Sequence, residues 1–185
     1  MNKDHTITTN RLYLRPIIVS DAETIWPHVS DRDISKFMSW LPHENLEQTR
    51  EFIKSVEKSR LKEKGITWAI FFNDAFCGIF SIISILRKHR ALTYDKGELA
   101  YWCANEHQGK GVMTEAGQAV MNYGFYTLKL NKIVVGHFTC NRKSEKLIER
   151  LGFRYIGTEK EAFKKNDIWY DASHYEITKT EYEKK

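Results

Sequence analysis

The sequence predicts a mixed α/β, or α+β, fold with a central sheet, and three observations carry that expectation. Apolar runs of strand length recur at Thr67–Phe72, Phe76–Leu86, Gly97–Cys103 and Asn131–Cys140. Helical patterns fall between them without strict alternation, and several helix ends are marked by capping residues. With 185 residues, 42% hydrophobic and 29% charged, the chain suits one domain over residues 1–185 with a single sizeable core and no internal repeat.

Taken in order, Arg11 to Val19 alternates as a strand with Leu12 and Leu14 on one face, weakened at its far end by Pro16. Ser20-Asp21-Ala22-Glu23 has the form of a capping box opening a helix toward Trp26 and Val29. Asp33 to Trp40 reads as a further helical turn. Asn45, with Gln48 three positions on, caps a longer helix through Leu46, Ile53 and Val56 that Gly65 ends. Thr67–Phe72 and Phe76–Leu86 form a hairpin about Asn73-Asp74-Ala75, and Arg87 to Lys96 reads as a basic loop. Gly97–Cys103 is then a strand on which Glu98, Ala100 and Trp102 share a face. A helix bearing Val112, Ala116, Ala119, Val120 and Tyr123 runs toward Leu130, and Asn131–Cys140 returns as a strand. Asn141 caps a short helix that Gly152 ends, and Phe153–Gly157 and Trp169–Thr178 close the chain as strands.

The chemistry centres on Glu106-His107-Gln108-Gly109-Lys110-Gly111-Val112-Met113, two glycines one residue apart between a strand and a helix. Glycine lets the backbone curl until consecutive N–H groups share one concavity, and the first amides of the following helix lie unpaired at its positive end. Such a turn binds anionic oxygens. It lacks the spacing and the Gly-Lys-Ser/Thr ending of a nucleotide-hydrolase P-loop.

The order of Glu98 on a strand, Gln108 to Ala116, Asn141-Arg142-Lys143-Ser144 and Leu151-Gly152-Phe153 resembles the acetyl-CoA-dependent GNAT N-acetyltransferases, and within them the branch that acetylates the N-termini of ribosomal proteins. The resemblance runs from Thr9-Asn10-Arg11 to the strand that ends the chain. It implies a central, mostly antiparallel, twisted sheet flanked by helices, with acetyl-CoA as cosubstrate and no metal. It further implies that amides of Gln108, Gly109, Lys110, Gly111, Val112 and Met113 hold the pyrophosphate with help from Lys110 or Arg142, and that backbone of Trp102, Cys103 and Ala104 pairs with the pantetheine arm. Asn141 would contact that arm, and Ser144 would protonate the departing thiolate. The early helices, with Trp26, Phe37, Trp40 and Phe52, would shape an acceptor wall. The family motif carries Gln or Arg three residues before the first glycine; Glu106 stands there, so the cradle must rely on main-chain amides and nearby cations.

Glu98 is the candidate base, because a carboxylate within an apolar strand is costly to bury unless it has a task or a partner. His107, His137 and Tyr175 are further candidates for proton transfer. An α-amine titrates near 8 and lysine near 10.4, so at neutral pH about a tenth of N-termini but far below a hundredth of lysines are nucleophilic. A single carboxylate therefore suits an N-terminal acceptor, with a small amine such as an aminoglycoside or polyamine as the nearest variant.

The net charge of +5 attracts anions, with Lys110, Arg142, Lys143, Lys146 and Arg150 near the motifs. Those cations are scattered and no aromatic RNA-binding motif accompanies them, which argues against direct nucleic-acid binding while leaving a non-catalytic CoA-binding or nucleic-acid-binding module as the competing class. Cys77, Cys103 and Cys140 form neither a disulfide framework nor a zinc pattern, and each reads as a buried strand thiol. The polar Met1-Asn2-Lys3-Asp4-His5 start and the lack of a membrane-length apolar run point to a cytoplasmic protein, compatible with a homodimer.

Overall fold

The computed structural model describes residues 4–184; residues 1–3 and 185, and with them the start of the polar N-terminal stretch, lie outside the described residues. The strands are β1 (Ile7–Thr8), β2 (Leu12–Pro16), β3 (Ile66–Phe72), β4 (Ala75–His89), β5 (Leu92–Cys103), β6 (Lys132–Phe138), β7 (Arg154–Lys165) and β8 (Ile168–Thr178). The helices are α1 (Ala22–Val29), α2 (Arg32–Ser35), α3 (Leu46–Leu61), α4 (Val112–Asn122), α5 (Arg142–Leu151) and α6 (Lys179–Tyr182). All eight strands form one sheet in the order β1-β2-β3-β4-β5-β6-β8-β7. Every neighbouring pair is antiparallel except β5 and β6, which run parallel.

Two apolar layers cover the sheet. On one face α4 and α5 bury Phe80, Ile82, Leu99, Ile133 and Ile177 against Ala116, Val120 and Ile148. On the other, α1, α2 and α3 bury Ala69, Ile79 and Trp102 against Ile25, Ile34 and Ile53. Each fully buried aliphatic or aromatic side chain contributes about 1.5–3 kcal/mol, so these layers, rather than the exposed ion pairs, hold the elements in place.

Several ends follow local chemistry. The Asn45 side chain accepts from the Gln48 amide, and the Gln48 side chain in turn accepts from the Glu44 amide, so α3 starts where a cap is written. It stops at Leu61, before Gly65, through Lys62. Asn73 and Asp74 take positive φ of 49° and 61°, the twist a two-residue hairpin needs.

Three expectations are corrected. Ser20 and Glu23 form no capping box: α1 begins at Ala22 after a tight turn over Val19–Asp21, where the Asp21 carboxylate accepts from the Ile18 amide (2.9 Å) and from both Arg15 guanidinium nitrogens (2.8 and 2.6 Å). Arg87 to Lys96 is not a loop. β4 and β5 continue through it as a projecting hairpin that turns at residues 90–91, with Lys88 opposite Thr93 and His89 opposite Leu92. Solvent wets both sides of that arm, so no alternation betrays it. Finally, α4 ends at Asn122 and passes into a wider π turn over Tyr123–Thr127 rather than running to Leu130.

Candidate active site

The defining feature is a parting of two strands. β5 holds its ladder with β4 out to Cys103 and β6 holds its ladder with β8 out to Phe138, yet β5 and β6 pair with each other only over Lys96–Lys132, Gly97–Ile133 and Glu98–Val134. Beyond Glu98 the strands diverge and leave a V-shaped cleft in the sheet with main-chain edges on both sides.

Which peptides face that cleft follows from alternation. Ala104 donates its amide to the Cys77 carbonyl at 2.8 Å, and a Cβ placed on Gly78 would lie 2.3 Å from the Trp102 carbonyl oxygen. Ala104 and Trp102 therefore direct their polar main chain toward β4. Tyr101 and Cys103, one residue out of phase, turn theirs toward β6 and the opening. This corrects the expected Trp102, Cys103 and Ala104 edge: Cys103 stays, Trp102 and Ala104 are occupied, and Tyr101 joins.

At the mouth of the cleft lies the glycine turn. Asn105–His107 make one tight helical turn, Gly109 and Gly111 take φ of 75° and 76°, and α4 begins at Val112. No side chain caps the first-turn amides of α4, because Gly111 has none to offer. A Cβ on Gly109 would meet nothing within 4 Å, so that position opens to solvent and an incoming group could reach the backbone there. Glu106 is exposed in this turn.

A brace unseen in the sequence holds the turn from behind. Glu115, in the first turn of α4, accepts from the Thr9 hydroxyl (2.6 Å), the Arg11 amide (3.1 Å) and the Arg11 Nε (2.6 Å), while another Arg11 nitrogen donates to the Lys110 carbonyl (3.2 Å). Burial pushes the Glu115 carboxyl up, but these bonds together outweigh it and hold the group below its usual value. Thr9 and Arg11 lie some hundred residues away, and no local signal marks them.

The far side of the mouth is the start of α5. The Asn141 side chain accepts from the Ser144 amide (3.2 Å) and Gly152 closes the helix at φ 80°, as the sequence predicts. Ser144 Oγ lies 2.8 Å from the Tyr101 hydroxyl, a bridge from α5 to β5. Gln108 spans the same gap lower down: its amide nitrogen reaches Asn105 (3.0 Å) and the Cys103 carbonyl (3.4 Å), and its oxygen accepts from Lys143 (2.8 Å). Arg142 is drawn into an ion pair with Glu145 at 2.7 Å, whereas Lys110 has no side-chain partner among the described residues. Lys110 is thus the cation of the turn left available to an anion.

Glu98 sits at the apex, on the last rung shared by β5 and β6, between Ile83 and Val134. It is partly buried, and its carboxylate makes no hydrogen bond or ion pair with any described residue. Strand alternation aims it at the same face as Trp102, toward the α1–α3 side, and aims Tyr101 at the α4–α5 side.

The remaining candidates lie away from the apex. His137 is buried, with Nδ1 2.8 Å from the Phe138 carbonyl, and is stacked on Tyr175. His107 Nδ1 is sequestered without a partner among the described residues. Trp26, Trp40 and Phe52 pack on the second apolar layer. The Phe37 ring is met by the Lys36 ammonium at 5.3 Å. The wall they belong to is clasped to the β7–β8 hairpin: the Lys165 ammonium donates to the carbonyls of Ser35 (2.6 Å), Met38 (2.8 Å) and Trp40 (2.9 Å). Of the cysteines, Cys77 is buried and Cys103 partly so, but Cys140 is exposed in the turn before α5, a correction to its expected burial. Burial pushes the Cys103 thiol up to about 12, so at neutral pH it is no thiolate nucleophile.

No group of three or more His, Cys, Asp or Glu among the described residues could hold a metal, and no described helix is long and apolar enough to cross a membrane. The family model "Acetyltransferase (GNAT) domain" matches residues 11–154. An uncharacterized N-acetyltransferase of Bacillus subtilis, YoaA, is 29% identical over 175 residues, covering 94% of this chain and 96% of its own length. Among solved structures, RimL, a ribosomal L7/L12 alpha-N-protein acetyltransferase in complex with coenzyme A, superposes with a TM-score of 0.86 at 20% identity over 94% of this chain and 98% of its own. A spermidine N-acetyltransferase from Vibrio cholerae in complex with CoA and spermine gives 0.82 at 23% identity, over 94% and 99%. Both structures share the fold.

Proposed function

Because the chain belongs to the acetyltransferase (GNAT) family, we propose that this N-acetyltransferase moves the acetyl group of acetyl-CoA to the N-terminal α-amine of a protein in the cytoplasm, a ribosomal protein foremost. The observation that carries the reading is the parting of β5 and β6 beside an uncapped glycine turn. A diphosphate finds amides at the turn and the Lys110 ammonium beside it, and an extended amide-bearing arm finds the main-chain edge of Tyr101 and Cys103, where only the Gln108 side chain reaches the Cys103 carbonyl. Acetyl-CoA supplies an activated acyl group, and this chain's residues orient it and handle the protons.

The acceptor amine must arrive neutral. Glu98 has no competing partner and takes the amine proton directly or through a water. As the C–S bond breaks, charge grows on sulfur, and Ser144 donates its hydroxyl proton there. An amide of the free β5 edge donates to the thioester oxygen. Transfer is direct, with both substrates bound together, and the Cys103 thiol, pushed up by burial, is no thiolate to intervene.

Free-thiol release from acetyl-CoA, with mass spectrometry of the acceptor, tests this on Ser- and Ala-initiated ribosomal-protein peptides against spermidine. Peptide turnover with acetyl on the α-nitrogen is expected. Preference for spermidine would move the acceptor to the small amines, and no turnover with any amine would remove the enzymatic reading.

A further inference from the structure

Resting on the acetyl transfer above, we propose that Tyr101 is a positioning residue of that reaction, the second hydroxyl of a relay in which Ser144 is the first. The phenolic oxygen of Tyr101 and Oγ of Ser144 lie 2.8 Å apart, and among the described residues neither hydroxyl has another hydrogen-bond partner. The Tyr101 ring is fixed against Phe80, with centroids 4.9 Å apart, and its backbone belongs to the cleft edge. Its hydroxyl is therefore rigid, buried and aimed at α5.

The direction of the hydrogen bond follows from acidity. A phenol is a stronger donor than an aliphatic hydroxyl, so Tyr101 donates and Ser144 accepts. That leaves the Ser144 proton free to point into the cleft. Burial pushes the phenol up to about 12, so at neutral pH it holds its proton between turnovers.

The relay answers a difficulty in using serine alone. A lone serine that protonates a thiolate would be left as an alkoxide, a much stronger base than the sulfur it served. With Tyr101 behind it the protons balance. Sulfur takes the Ser144 proton, Ser144 takes the phenolic proton, and the phenolate regains one from solvent after product leaves. The amine proton departs through Glu98, so the net transfer is one proton from nitrogen to sulfur. Each hydrogen bond in the pair polarises the other, which strengthens the donor that meets the sulfur.

A merely structural bridge from β5 to α5 would show the same 2.8 Å contact, so the test must separate the two. Tyr101→Phe keeps the ring on Phe80 and removes one oxygen. With an acceptor peptide under turnover, kcat should fall about 10–100-fold with KM for both substrates and the acetyl-CoA Kd within about twofold. In a Ser144→Ala background the same change should cost less than about twofold, because the chain it feeds is already broken. The solvent deuterium effect on kcat should report two protons in flight in the wild type and fewer in Tyr101→Phe. Equal losses in both backgrounds would make Tyr101 a structural bridge and overturn the relay alone. Full activity of Ser144→Ala would overturn the relay together with the role of the serine, leaving Glu98 and the transfer itself standing. No turnover by the wild type would overturn the function first and the relay with it.

Discussion

The two faces of β5 are built differently. Toward α4 and α5, the site is assembled from pieces that the chain lays down close together: the glycine turn, the first turn of α4 and the Asn141 cap, with Tyr101 and Ser144 meeting across 43 residues. Toward α1–α3, where Glu98 and Trp102 point, the wall is held by the Lys165 clasp on Ser35, Met38 and Trp40, which closes over 125 residues or more. On the proposed function, the cofactor side combines local caps and turns with the Thr9–Arg11 brace behind them, whereas the acceptor wall is tied down by the Lys165 clasp. A fold arranged this way can keep one substrate constant and vary the other.

Perturbing each side separately should reveal that division. The largest effect is expected from Glu98→Gln, which should lower kcat about 10²–10³-fold while calorimetry finds acetyl-CoA affinity unchanged. An equal loss of affinity would place Glu98 on the cofactor side. Next comes Gly109→Val. A Cβ there would meet nothing within 4 Å, so the expected roughly tenfold loss in acetyl-CoA affinity reports strain at φ 75°, about 1–3 kcal/mol, together with a side chain standing where the incoming group reaches the backbone. Acceptor KM should not move.

Lys165→Met should do the reverse. Three carbonyls lose their donor, a cost of about 1 kcal/mol where water can reach them, and acceptor KM should rise about three- to tenfold while acetyl-CoA binds as before. A thermal melt and a two-substrate kinetic grid together measure both. Smallest is an acid effect on the brace behind the turn. Because the folded Glu115 carboxyl lies below the ordinary value of 4.5, its stabilisation is fully present above that pH and fades as pH falls through the lowered value. Acetyl-CoA affinity measured down through that window should weaken, and Glu115→Gln should flatten the trend.

How far the sequence revealed this depended on the range of the interactions. Caps and turns were legible because a few adjacent atoms decide them: Asn45 with Gln48, Asn73-Asp74, Asn141 with Ser144, and Gly152. The Ser20 capping box failed because Asp21, bound to Arg15, gave the turn a stronger local partner. The β4–β5 arm was invisible because hydration of both sides erases the period-two pattern. Thr9, Arg11 and Lys165 carry no signal of their own, since what they touch is a hundred residues or more away. Tyr101 carries no mark of its own beside Glu98, although its odd spacing from that residue turns it to the opposite face.

That spacing has a kinetic meaning. Glu98 and Tyr101 stand three residues apart on one strand, about 10 Å, and the pleat sends them to opposite sides of the sheet. In the proposed mechanism the proton taken from the amine and the proton given to sulfur therefore travel by separate doors, and neither is handed directly to the other. Buffer should exchange with each route independently, so a catalyst damaged at one door can be rescued there by a small exogenous acid or base without touching its counterpart.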